Sequence, residues 1–140
     1  MTVIREDDFI QSVADALQFI SYYHPLDYIQ HLGRAYEREQ SPAARDAIAQ
    51  ILTNSRMCAE GHRPICQDTG IVNMFLKVGM GVRWETQRSL ADMVNEGVRL
   101  AYNHPDNKLR ASVVDDPLFE RRNTRDNSPA VFHVELVPGE

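Results

Sequence analysis

Ten consecutive residues, "GHRPICQDTG" from Gly61 to Gly70, bring together a proline, a thiol, an amide, a carboxylate, a hydroxyl and a glycine with a single aliphatic break. Such a run suits neither a helix nor a buried strand, because Gln67, Asp68 and Thr69 are costly to bury without hydrogen-bond partners. Pro64 fixes the backbone on one side and Gly70 permits unusual dihedrals on the other. The Cys66 thiol is the first candidate for chemistry, although a small buried hydrophobe is the commonest fate of a free cysteine.

Several chemistries compete for that thiol. His62 and Cys66 stand four apart, with Asp68 close by to complete a mononuclear metal site. Pro64 lies between them, however, and a tetrahedral zinc site needs more Cys and His than this neighbourhood supplies. A thiolate nucleophile would take His62 or His133 as base and Asp68 as orienter. A redox pair with Cys58 lacks the Cys-x-x-Cys spacing, and Cys58 itself reads as a helix-packing residue. A second polar set, Asn107, Lys108 and Arg110, suits a small dianion, since arginine clamps a carboxylate by two parallel hydrogen bonds. Arg121, Arg122 and Arg125 read as a solvated face.

The elements that must position these groups follow from periodicity. Between Glu6 and Ser21 the residues Phe9, Ile10, Val13, Ala14, Leu17 and Ile20 mark one helical face, which His24-Pro25 brings to an end. Leu26, Ile29, Leu32 and Tyr36 predict a second amphipathic helix. Ser41-Pro42 opens a third, with an inner stripe of Ala44, Ile48, Ile51, Leu52 and Ser55 and a stop at Gly61. "IVNMFLKV" alternates as a strand, with Val72, Met74, Leu76 and Val78 facing one way. A fourth helix over about Thr86 to Tyr102 carries Leu90, Met93, Val94, Val98 and Ala101, and "AVFHVELV" alternates again. The thiol motif thus falls in a loop between a helix and a strand, where a rigid scaffold can present it. The expected fold is α+β: N-terminal helices, then a small antiparallel or mixed sheet with a further packed helix.

Composition bounds the possibilities. At 140 residues and 43% hydrophobic content the chain can bury one core, so a single domain is expected. A net charge of −5, from 20 acidic and 15 basic residues well mixed in order, argues against nucleic acid or an anionic membrane as partner. No apolar run approaches the roughly 20 residues of a membrane span. The start, "MTVIREDDF", lacks the order of a signal peptide. Two cysteines suit a reducing compartment, and a cytoplasmic location is expected.

Three blocks, "RPICQDTGIVNMFLKVG", "NKLRASVVDDPLF" and "RRNTRDNSPAVFHVELVPG", occur in that order from Arg63 to Gly139. Together they resemble the N-terminal part of the iron–sulfur class of fumarate hydratases, the class I fumarases, a family that also contains L-tartrate dehydratase. The resemblance runs from about Ser55 to the last residue. It implies a [4Fe–4S] hydro-lyase in which three protein cysteines hold three irons while the fourth iron binds substrate. Cys66 matches the first of those ligands. Gln67 and Asp68 match positions lining the site, and Arg110 matches an arginine expected to bind a substrate carboxylate. Asn123, Thr124, Asn127, Pro129 and Ala130 match a block near the site to which no individual roles are assigned.

Family members are several hundred residues long, so the resemblance implies an N-terminal fragment, helical over 1–60 and mixed over 61–140. The other cluster cysteines and the catalytic base would lie beyond Glu140, and no catalytic residue is assigned within this chain. The isolated chain is then expected to hold no cluster and to be inactive. Within the intact enzyme it would serve fumarate/L-malate interconversion, a step of the tricarboxylic acid cycle, in a homodimer. L-tartrate dehydration is the alternative substrate, and a non-catalytic interaction module is the alternative from another class.

Overall fold

The computed structural model of the protein describes residues 1–65, 70–106 and 108–140. They form β1 (Val3–Arg5), α1 (Glu6–Tyr22), α2 (Leu26–Arg38), α3 (Pro42–Gly61), β2 (Asn73–Gly79), β3 (Arg83–Glu85), α4 (Leu90–Tyr102), β4 (Val114–Asp115), β5 (Arg122–Asn123) and β6 (Val131–Val137). The class is α+β. Two compact units divide the described residues: Met1–Leu17 with the part from Gly70 onward, and the part from Gln18 to Ile65.

The first unit is organised by α4. Ser89 caps it, its hydroxyl accepting from the Asp92 amide at 3.1 Å, and the predicted stripe delivers Met93, Val94, Val98 and Ala101 to the interior. Against Val98 and Ala101 pack Val13, Ala14 and Leu17 of α1, Val72 at the foot of β2, and Leu109. The alternation expected of "IVNMFLKV" is observed, with Val72 buried and Ile71, Phe75 and Lys77 exposed. β2 pairs with β6 in parallel, Asn73 opposite Val131 through Gly79 opposite Val137. β1 pairs in parallel with β3, where Phe9 meets Trp84 edge to face at 5.3 Å. β4 and β5 form an antiparallel hairpin. The described strands thus make three separate two-stranded ladders.

In the second unit α3 presents Ser55 and Cys58 as its buried residues. Three members of the expected apolar faces differ: Ile20, Leu26 and Ile51 are exposed. Leu26 opens α2 directly after Pro25, where the face has barely begun, and α2 has no buried residue at all. The helix stop also shifts by one position. α3 runs through Gly61, and His62 takes the left-handed conformation, at φ 47°.

Candidate active site

The approach to Cys66 is held from several sides. His62 sits where glycine is usual, in a conformation a non-glycine side chain adopts only with support. Support comes from stacking on Tyr22, with ring centroids 5.6 Å apart, and from a 3.0 Å hydrogen bond between Nε2 and the Tyr23 hydroxyl. The Cys58 thiol is buried and donates to the Pro64 carbonyl at 3.4 Å. Ile65 is buried, and its amide donates to the Ser21 carbonyl at 2.8 Å. Cys58 is thus a packing residue that steadies the chain ahead of the motif. Cys66, Gln67 and Asp68, the expected cluster ligand and two site residues, lie outside the described residues, as do Thr69 and Asn107.

Beyond the motif, the geometry converges on Asn127. Its side chain is 0% exposed. Oδ1 accepts from the amides of Ser112 at 2.8 Å and Val113 at 3.1 Å, while Nδ2 donates to the Gly70 carbonyl at 3.0 Å. A further hydrogen bond joins it to the Tyr102 side chain. An asparagine has two acceptor sites and two donor protons, so this side chain is fully satisfied, as burial demands. Its φ of 60° lies in the left-handed region that asparagine tolerates better than most residues.

Neighbouring side chains extend this arrangement. Asn123 Nδ2 donates to the Ala111 carbonyl at 2.9 Å, and its Oδ1 accepts from the Arg125 amide at 2.7 Å. Thr124 donates its amide to the Val113 carbonyl at 2.9 Å. Asn95 of α4 accepts the Ala130 amide at 2.9 Å, tying the loop to the core helix. Burial pushes the Asp126 carboxyl up, but the Ser128 amide and hydroxyl it accepts from, with the Arg99 charge, outweigh this and hold it below its ordinary value. Burial raises the Tyr102 hydroxyl above its ordinary value, opposed by its bond to Asn127.

Arg110 is exposed, directly after buried Leu109 and two residues before Ser112. Ala111, between them, is held by Asn123. Arg110 therefore lies in a segment anchored on both sides. An open depression of about 550 Å³ nearby in sequence is lined by Asp115, Arg122, Asn123, Thr124 and Arg125. Arg122 there pairs with Glu120 at 2.8 Å. His133, a candidate base in the nucleophile alternative, is instead exposed on β6 and stacked on Phe75 at 4.9 Å. Among the described residues no group of three or more His, Cys, Asp or Glu is arranged to hold a metal ion. No helix among them is long and apolar enough to cross a membrane.

Sequence reasoning placed Asn127 near the site without a role. The signal available was the density of Asn, Asp and Thr in "RNTRDNSPA", residues that hydrogen-bond backbone in loops. Which backbone they reach depends on contacts across the chain, which spacing does not encode.

Comparison with known proteins adds an independent line. A family model described as fumarate hydratase (Fumerase) matches residues 10–140. The chain is 29% identical over 121 residues to a Methanocaldococcus jannaschii protein named "Putative L(+)-tartrate dehydratase subunit alpha", covering 85% of this chain and 42% of that protein. It is 32% identical over 104 residues to a Geobacillus stearothermophilus protein named "Putative fumarate hydratase class I", covering 74% of this chain and 19% of that protein. The chain spans less than half the length of either relative.

Proposed function

The chain belongs to the fumarate hydratase (Fumerase) family, and from that membership we propose that it forms the N-terminal part of an iron–sulfur hydro-lyase interconverting fumarate and L-malate. The observation that carries this reading is the family match across residues 10–140. The motif block around Cys66 supports it. Dehydration of L-tartrate is the second reading, favoured by the name of the M. jannaschii relative.

In this reading Cys66 would hold one iron of a [4Fe–4S] cluster, the two further cysteines coming from the remainder of the enzyme. Cys58, the other cysteine of the chain, is buried and bonded to Pro64, which leaves Cys66 as the thiolate this chain would contribute. Held there, the cluster would supply Lewis-acid chemistry toward the substrate hydroxyl. Arg110 would orient the substrate by clamping one carboxylate through two parallel hydrogen bonds. Gln67 and Asp68 would line the site beside Cys66. No residue of this chain is assigned the proton transfer at carbon. With one cysteine of the ligand set, the isolated chain would be inactive.

The partners in this proposal are a small dicarboxylate, the remainder of the enzyme and a second copy of it, in the cytoplasm. Exposed apolar side chains, among them Phe75, Leu118 and Phe119, support packing against further protein. Iron analysis of Cys66→Ser and Cys58→Ser in the complete enzyme tests the reading: the first loses iron and activity together, the second keeps both. A Cys66→Ser protein with full iron content contradicts it.

A further inference from the structure

Among buried polar side chains Asn127 stands apart, because its carboxamide reaches two other segments that the sequence separates widely. One ends at Gly70, which closes "CQDTG". The other begins with the Ser112 and Val113 amides, two and three residues past Arg110. A glutamine, aspartate or serine could satisfy some of these groups, but an asparagine at φ 60° meets both amides and the carbonyl at once. Thr124 reinforces the same contact, bonding Val113 from three residues upstream of Asn127.

We propose that Asn127 is a positioning residue, whose carboxamide sets the Gly70 end of the thiol motif against the segment that carries Arg110. This rests on the hydro-lyase reading above. Asn127 touches no substrate in this account; it acts through the two backbones it joins. Positioning errors are expensive, since a displacement on the order of 1 Å costs about 10²-fold in rate.

The substitution Asn127→Asp removes the donor to Gly70 with the smallest change of shape, and its melting temperature is measured beside its kinetics. It is nearly isosteric and keeps both acceptor bonds to the Ser112 and Val113 amides, but it replaces the donor facing the Gly70 carbonyl with an acceptor. The protein from the complete reading frame is reconstituted anaerobically with iron and sulfide and assayed with fumarate and L-tartrate. Assays run well below the melting temperature of parent and variant. The expected result is a fall in kcat/KM of about 10²-fold, with KM raised and iron per protein unchanged. Asn127→Gly, which tolerates the backbone angle and buries no charge, is read by the same criterion should the aspartate variant fail to fold. A folded variant with parental kcat and KM overturns the inference, as does activity lost only in proportion to the folded fraction. A parent inactive on both substrates overturns the hydro-lyase reading itself, and the inference falls with it.

Discussion

Gly97 of α4 lies so close to Val13 of α1 that a β-carbon placed on it would stand 2.6 Å from the Val13 β-carbon and 2.9 Å from the Ile10 carbonyl. Real β-carbons do not approach a β-branched side chain and a helix backbone that closely, so the glycine permits the contact on which the first unit's core is built. Val98 and Ala101 of α4 share one buried cluster with Val13, Ala14 and Leu17 of α1, beside this contact. Gly97→Ala is therefore expected to destabilise the protein by about 1–3 kcal/mol, despite the better helix propensity of alanine. Urea denaturation checks this, and an unchanged midpoint contradicts the close packing.

The Asp126 carboxyl gives an acid-side prediction. Its folded value lies below its unfolded value near 3.8, so its contribution is fully present above that pH and is lost as pH falls through the folded value. Asp126→Ala should cost stability at pH 7, and the gap to the parent should close on acidification below about pH 4. Denaturation curves at a series of pH values measure the gap; a constant difference counts against the Ser128 contacts as its cause.

Tyr102 gives the opposite sign on the alkaline side. Its folded value is raised above 10.0, so its contribution is present below that pH and is lost as pH rises through the folded value. Tyr102→Phe removes the bond to Asn127 and should cost about 1 kcal/mol near neutrality. Above pH 10 the parent should lose stability more steeply than the variant, a difference that thermal melts in alkaline buffers would register.

Much of this fold was legible from periodicity. α1, α4 and the alternation of β2 each show a repeat that one inward face imposes, and Val98 and Ala101 lie where the stripe puts them, whereas of the α3 stripe only Ser55 is buried. What escaped depends on partners distant in sequence. β1 and β3 are three residues each, too short for a pattern, and pair across most of the chain. Ile20 and Leu26 carry an apolar spacing but stay exposed. His62 takes the left-handed position beside a glycine because Tyr22 and Tyr23 stabilise it there. At the candidate site, "CQDTG" and "KLRAS" were recognisable as motifs, whereas the tie between their segments resides in one asparagine whose partners no spacing rule names.

Arg110→Ala tests the carboxylate pocket of the proposed enzyme. Loss of a charge-assisted pair, about 1.5–3 kcal/mol, should raise KM for the dicarboxylate roughly ten- to a hundredfold while iron content holds. Steady-state kinetics beside iron analysis would reveal a structural role instead, through joint loss of both.

Turnover by the complete enzyme is the most direct test of the hydro-lyase reading. Protein from the complete reading frame, reconstituted anaerobically with iron and sulfide, is given fumarate, L-malate and L-tartrate. The account predicts oxygen-sensitive hydration of fumarate, with tartrate dehydration as the outcome that preserves the mechanism under the second substrate. A reconstituted protein that binds no iron and leaves all three acids unchanged would contradict it.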